Sequence, residues 1–426
     1  MNYYAANGSF FGNHCFRSFG KDFRRGIRRS WSRKYGNALW KALVPASLLL
    51  CLLFSSASKA DLSASIGFEG RYFTETERTS TSIFINPEYT WQSGNHSFYA
   101  EAFSRFDDTD ERRSFTDIRE ALWTYAPSDW ELSAGVGKVF WGVTESNHLV
   151  DIINQTDTAE SADQEAKLGQ AMIKWSTSQN WGTVDAYVLP YFRERRFSSP
   201  ESPLSGGATI SNHAEFESSD EQRHVDVALR YSQYFGDWDI GLYYFKGTNR
   251  EPTIRLRSQT AAPPQLTPYY DQISLWGSSV QSTLGAWLWK LEAIDRNDSH
   301  NHYSALSAGF EYTVFGVNGS VADLGILAEY NYDSRGTAAT SALQNDIFIG
   351  ARLTLNDVQD TNFLIGLSGD LDYNNSGIGF IEANRRLGDS FRLVLDARIF
   401  ESDTPDDPLY LVTEADHVSV SLEYFY

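Results

Sequence analysis

From residue 61 onward, apolar and polar residues alternate with period two. In the first segment Leu62, Ala64, Ile66, Phe68 and Tyr72 share one face, and Ser63, Ser65, Gly67, Glu69 and Arg71 share the other. The pattern returns near the end. Ile347, Ile349, Ala351 and Leu353 oppose Phe348, Gly350, Arg352 and Thr354, and Phe391, Leu393, Leu395, Ala397 and Ile399 oppose Arg392, Asp396 and Arg398. Successive side chains of a strand point to opposite faces. One apolar face against one charged face predicts strands with lipid on one side and a polar lumen on the other.

A soluble β-sandwich also alternates, so the connections matter more. Short ones, such as Ser93-Gly94-Asn95, Gln179-Asn180, Phe235-Gly236-Asp237 and Thr283-Leu284-Gly285, take turns along the chain with longer polar ones. The longest lie near Trp141 to Gly169, Arg193 to Gln222, Thr248 to Thr267 and Glu401 to Ala415. Short periplasmic turns and long outer loops are the signature of an outer-membrane barrel. The expected fold is therefore all-β, a transmembrane antiparallel β-barrel of about eighteen strands with both ends in the periplasm. Its last strand carries Val418, Val420, Leu422, Tyr424 and Tyr426, alternating up to an aromatic final residue. This resembles the assembly signal read by the barrel-assembly machinery, which is an expected partner together with outer-membrane lipid and lipopolysaccharide.

The first 60 residues break the pattern. Ten basic residues stand against one acid, Asp22, and an apolar core from Leu43 to Phe54 leads into Ser58-Lys59-Ala60. A basic region, a short apolar stretch and a small-x-small site read as a secretory signal peptide. The expected division is 1–60 leader and 61–426 barrel, placed in the cell outer membrane. Arg24-Arg25 and Arg28-Arg29 raise a twin-arginine reading, but both lie far from the apolar core. Both cysteines, Cys15 and Cys51, leave with the leader. What remains holds 26 basic and 54 acidic residues, so nucleic acid is excluded as a partner.

Short motifs add a family resemblance. Asp117-Ile118-Arg119-Glu120-Ala121 precedes Gly137-Lys138-Val139-Phe140-Trp141-Gly142, followed by Asn147 to Asn154. These resemble porin-type barrels of the alginate-export kind, which run R-E-A and then G-[KR]-Q-x-x-x-W-G. Val139 stands where that family has Gln. The resemblance implies the eighteen-stranded architecture and a channel; it carries no alginate-binding residue over to this chain.

Candidate chemistry is that of a pore. The third outer loop holds Glu145, His148, Asp151 and Asp157, followed by Glu160, Asp163 and Glu165. Folded into the lumen, these form an acidic constriction that attracts cations; left outside, they are a solvated surface. Period two turns Glu69, Arg71, Glu101, Arg105, Arg352, Asp370, Arg386, Arg392 and Arg398 inward, with Glu292, Glu311, Glu329, Glu382 and Lys290. Mixed charges of this kind make a wet wall with cross-strand ion pairs. Arg193, Arg195 and Arg196 begin the fourth loop. They read either as anion capture at the mouth or as partners of lipopolysaccharide phosphates and nearby acids. His417-Val418-Ser419 has phospholipase spacing, but alternation turns His417 and Ser419 away from lipid. No zinc, nucleotide or phosphate-loop motif appears, so neither an enzyme nor a cofactor is expected.

The pattern predicts a porin-like channel passing small polar solutes with a mild cation preference. The alternatives are an export conduit with a periplasmic or efflux partner, and a plugged structural or adhesive barrel. The leader has a direct test. N-terminal sequencing of the protein from outer-membrane fractions should begin at Asp61, and an intact segment 42–54 in that material would overturn the assignment.

Overall fold

The computed structural model describes residues 59–258, 265–299 and 301–426. The expected leader lies outside these residues except for Lys59 and Ala60, which already belong to the first strand.

Alternation produces strands where it was expected. β1 (Lys59–Phe73), β2 (Arg78–Ser93), β3 (His96–Asp107), β4 (Phe115–Tyr125), β5 (Trp130–Gly137), β6 (Gln170–Gln179) and β7 (Gly182–Tyr191) form a meander. Two short strands, β8 (Thr209–Ile210) and β9 (Glu215–Phe216), lie in the fourth outer loop. The meander resumes with β10 (Asp226–Phe235) and β11 (Trp238–Thr248). The fifth loop contributes a hairpin of β12 (Thr253–Ser258) and β13 (Gln265–Tyr270), against which β8 and β9 pair in parallel. The wall then continues through β14 (Gln272–Leu284), β15 (Trp287–Asn297), β16 (His302–Val314), β17 (Asp323–Asp333) and β18 (Asn345–Thr354). It ends with β19 (Asn362–Asp370), β20 (Gly377–Leu387), β21 (Phe391–Glu401) and β22 (His417–Phe425).

Each wall strand pairs antiparallel with its neighbours, and β22 pairs with β1 from Ser65↔Phe425 to Phe73↔His417. Closure removes both sheet edges, which a lipid-facing sheet requires because no water is present to satisfy free backbone groups. The fold is a closed eighteen-stranded transmembrane barrel. Two-residue turns on the periplasmic side open on glycines at left-handed φ, Gly236 at 62° and Gly285 at 64°, a conformation costly to other residues.

The two faces differ as the alternation dictates. Leu62, Ile66, Phe68 and Tyr72 are exposed on the outer face of β1, whereas Glu69 and Arg71 are buried inside. Val418, Val420, Leu422 and Tyr424 likewise point outward, and His417 and Ser419 point inward. Exposed Trp181, Tyr234, Phe235, Trp238, Trp287 and Phe315 cluster at the short turns, the level of an interfacial aromatic belt.

Inside the wall, small residues make room for large ones. Gly67 faces Phe84 across β1 and β2, and the Phe84 ring covers it. A Cβ at Gly67 would fall 2.0 Å from Phe84 Cζ, whereas one at the neighbouring, lipid-side Gly70 meets nothing within 4 Å. Filling the covered position forces the ring off its seat, an overpacking cost of about 1–3 kcal/mol. Gly67→Val should therefore lower the temperature at which the folded barrel loses its heat-modifiable gel mobility, and Gly70→Val should not. Equal shifts for the two variants would contradict this packing.

Candidate functional site

The lumen is occupied by the third outer loop, residues 138–169 between β5 and β6. The Gly137 to Gly142 motif sits one step further on than the sequence implied: β5 ends at Gly137, and Lys138 to Gly142 already belong to this loop. A chain segment entering a barrel must satisfy its own polar backbone and bury its apolar side chains against the wall. Both requirements are met by named residues.

The apolar side comes first. Trp141, Val150 and Ile153 are almost fully buried. They pack against inward residues of β6 to β16, among them Met172, Leu189, Phe245, Leu275 and Ile294. The Trp141 ring lies 5.6 Å from that of Tyr187 and 5.0 Å from that of Tyr243. Each such side chain contributes on the order of 1.5–3 kcal/mol by leaving water. This cluster draws the loop to one side of the barrel.

Two wall carboxylates hold the backbone. Glu292 on β15, fully buried, accepts from the amides of Val143 (2.6 Å), Thr144 (3.1 Å) and Val150 (3.2 Å) and from the Thr144 hydroxyl (2.8 Å). Glu329 on β17 accepts from the amides of Glu145 and Ser146 at 2.8 Å each and from the Ser146 hydroxyl at 2.7 Å. An anionic acceptor roughly doubles the strength of an amide hydrogen bond. Asn154 joins the two ends of the loop. Its oxygen accepts from Val139 N, and its amide donates to Gly137 O and Leu168 O.

The acids of the loop reach the opposite wall. Glu145 pairs with Arg352 of β18 at 2.6 Å and with Lys290 of β15 at 3.5 Å. Asp157, fully buried, is held by Arg119 of β4 at 3.0 Å and by Arg196 at 2.8 Å. Glu160 meets Arg105 at 2.6 Å, and Asp163 meets Arg398 at 3.5 Å. Within the loop, Lys167 pairs with Asp151 at 3.1 Å and His148 with Glu165 at 3.3 Å. The loop thus lies inside the lumen, but its acids are paired rather than open to passing ions.

These contacts set the protonation of the loop groups. Burial raises the Asp151 pKa above the ordinary carboxylate value, and Lys167 only partly offsets it. Burial opposes charge on His148, but the hydrogen bond and charge of Glu165, with help from Glu292 and Asp151, outweigh it and raise its pKa. Glu165, with burial acting upward and His148 more strongly downward, ends lowered. His148 therefore contributes to the tether fully below its ordinary value of 6.5 and loses that contribution as pH rises through the raised value. Glu165 contributes above its ordinary 4.5 and ceases as pH falls through the lowered value.

The remaining expected residues occupy three settings. Glu69, Arg71 and Arg105 join Arg113 in one buried network at the outer ends of β1 and β3, with Arg113 2.7 Å from Glu69. Glu101 lies on the inner wall beside Lys138, and Asp370 stands opposite Asp346 and accepts from Gln344. Arg386 and Arg392 face each other across β20 and β21 near the periplasmic end. Arg193, Arg195 and Arg196 sit inside the protein rather than at a free mouth. Arg193 pairs with Asp117 at 2.9 Å, Arg196 lies on Asp157 and over the Phe115 ring, and Arg195 leans on Gln155 and the Arg250 carbonyl. Sequence reasoning missed Arg119, Arg113 and Asn154 as loop anchors. Arg119 had been quoted only as part of a motif.

Above the loop lies a cavity of about 710 Å³. The third loop floors it, and the fourth, fifth, seventh and ninth loops (residues 192–225, 249–271, 334–344 and 402–416) contribute its walls.

The tether has a sharp test. Glu292→Ala strips four loop hydrogen bonds of their acceptor, each buried unsatisfied group costing about 1–3 kcal/mol. The folded barrel should persist while the third loop becomes open to limited proteolysis. An unchanged cleavage pattern would show that Glu292 does not hold the loop.

Comparison with solved structures gives the same architecture at very low identity. OpdQ of Pseudomonas aeruginosa aligns with a TM-score of 0.50 at 10% identity, over 87% of this chain and 99% of that one. OccK8 (OprE) of the same organism gives 0.49 at 12% identity, over 87% and 97%. OmpT, an outer membrane protein of Vibrio cholerae, gives 0.42 at 10%, over 87% and 100%. A search of curated proteins finds no match. A family model does match, over residues 78–370, from the first residue of β2 to the last of β19. The chain is an eighteen-stranded transmembrane β-barrel and belongs to the family described as "Protein of unknown function (DUF1302)".

Proposed function

We propose that this barrel is a passive outer-membrane channel for small polar solutes, with a modest preference for cations. The observation that carries the reading is a polar inner wall narrowed by a tethered loop, with a surplus of carboxylate beside it. Glu88, Glu101 and Glu120 stand in register across β2, β3 and β4. Among the described residues one cation serves them, Lys138, 2.6 Å from Glu101 and 3.8 Å from Glu120. The third-loop acids, being paired, add little field of their own. The unbalanced row acts where low-dielectric walls focus it on a passing ion.

Location in the outer membrane is supported by the lipid-side alternation, the aromatic level at the short turns and closure of the sheet. The terminal pattern Val418, Val420, Leu422, Tyr424 and Tyr426 supports delivery by the barrel-assembly machinery. The likeness to alginate-export barrels is one of shared parts. Arg119 grips Asp157, the Lys138 amide donates to Glu120, and Trp141 seats the loop. These residues position a constriction and leave the solute open.

Planar-bilayer recording of the mature protein tests the proposal. A salt gradient should give a reversal potential of cationic sign that fades at high salt. Replacing Glu88 and Glu120 by Gln should remove most of that potential, since Glu101 and Lys138 are then left to balance each other. The triple amide change at Glu145, Asp151 and Asp157 should act less on selectivity than on loop anchoring. Anion preference in the parent would reject the selectivity. A complete lack of conductance would favour a plugged barrel instead.

A further inference from the structure

The cavity above the third loop is unlike the lumen around it. Ion pairs dominate the inner wall elsewhere, but this chamber lies between two apolar clusters. Leu275 and Ile294 of the larger cluster line one side. Ile378, Phe400, Leu409 and Val412 of the smaller one line the other. The smaller cluster joins the outer ends of β20 and β21 to the short 3-10 helix Pro408–Ala415 of the ninth loop. Water gains little from such walls, and an apolar body of matching size gains about 25 cal/mol for each Å² it buries. The volume falls in the range of small-molecule sites, and a barrel mouth is a common place for one.

Carboxylates and cations both line the chamber, and of the third-loop acids there Asp151 is met by Lys167, Asp163 by Arg398 and Glu165 by His148. Arg195, Arg250, Arg296 and Arg335 all line it. Three have carboxylate partners: Arg250 with Asp226 at 2.5 Å, Arg296 with Glu251 at 3.5 Å and Arg335 with Asp333 at 2.6 Å. Arg195 forms no salt bridge among the described residues. Its amide donates to the Tyr270 hydroxyl at 2.8 Å, its Nε to Gln155 Oε1 at 3.4 Å and its Nη2 to Arg250 O at 3.1 Å. These neutral contacts fix the guanidinium plane and leave Nη1 without a hydrogen bond among the described residues. Buried Nη2 of Arg250 and Nε of Arg296 lack partners as well. The chamber therefore holds one guanidinium without a salt bridge, and donors unmet among the described residues, next to an apolar slot.

We propose that this vestibule binds an amphipathic organic monoanion, its charged head at Arg195 and its apolar body between Leu275 and Ile294 on one side and Phe400 and Leu409 on the other. The proposal concerns capture above the constriction. It rests on the channel reading only in taking the chamber as open to the outside. A single negative charge matches the single unpaired guanidinium. A dianion would bring a second charge that only already paired arginines could meet, and a small hydrophilic anion would leave the slot unfilled.

Calorimetric titration of the folded barrel in amphipol, with 4-phenylbutyrate as probe, tests this. The parent should bind 4-phenylbutyrate at least about tenfold more tightly than 4-phenylbutan-1-ol or acetate, since each comparator lacks one half of the interaction. Arg195→Gln should weaken the acid about tenfold and leave the alcohol unchanged, while Arg195→Lys keeps most of the acid affinity. Val412→Asp, a loop change outside the wall, should weaken the acid by placing a like charge in the slot. Equal binding of acid and alcohol by the parent, or parent-like binding of the acid by both Arg195→Gln and Val412→Asp, would overturn the proposal. Bilayer recording of the same preparation keeps the two readings apart. A conducting barrel that binds no acid loses only this inference, and a silent barrel that binds it loses only the channel.

Discussion

Everything in the lumen depends on how a loop's backbone is satisfied inside a barrel. The third loop carries its amides into a space where the wall presents side chains rather than ladder groups. Glu292 and Glu329 resolve this by accepting from loop amides and hydroxyls. Because those two carboxylates sit on rigid strands, the loop inherits their precision. The apolar cluster around Trp141 and Ile153 supplies most of the driving force, yet non-directional contacts alone would let the segment slide. Amide-to-carboxylate bonds fix its height and register.

The ion pairs add orientation more than stability. Asp157, Glu160 and Asp163 each meet a wall arginine on a different strand, Arg119, Arg105 and Arg398. Desolvating such groups offsets much of their attraction, so a buried pair is weak evidence for stability. Removing one partner is another matter, since it strands a buried charge. The pairs therefore penalise every alternative path of the loop across the lumen. A loop fixed in this way gives a defined opening rather than a fluctuating one.

The wall was legible in the sequence because period two needs no knowledge of distant partners. Exposed Ile347 and Ile349 beside buried Phe348, or exposed Leu393 and Ile399 beside buried Arg398, follow from local alternation alone. The acids of the third loop were legible as a cluster, but their partners were not. Glu145 meets Arg352 more than two hundred residues away, and the meeting depends on barrel closure and on the loop's route. The same blindness affected Arg193, Arg195 and Arg196. Placed in a long polar loop, they read either as a mouth or as partners of nearby acids, and the fold turns two of them onto acids, Asp117 and Asp157, that the sequence does not single out. Asn154 stood out only as the end of the Asn147 to Asn154 motif, since an amide that staples two loop ends looks like any loop polar residue.

The contrast between composition and location is the wider lesson of this lumen. After the leader the chain is strongly acidic, and a count of charges alone would make the whole interior an anion barrier. Charge in a narrow space acts by what remains unpaired within a Debye length, roughly 8 Å at physiological salt. By that measure the acids of the third loop nearly vanish, for each has a cation beside it. Imbalance remains at a few places, two of them beside the loop. Above the loop Arg195 has no salt bridge among the described residues, and on the wall Glu88, Glu101 and Glu120 have one lysine to share among those residues. In the proposed channel a solute would meet a partly apolar chamber with one unbridged guanidinium and a carboxylate-rich stretch of wall. The two filters differ in chemistry as well as in sign, because one works by burial beside a fixed guanidinium and the other by a field in water. Both stand against the same tethered loop, Arg195 through Gln155 and the carboxylate row through Lys138.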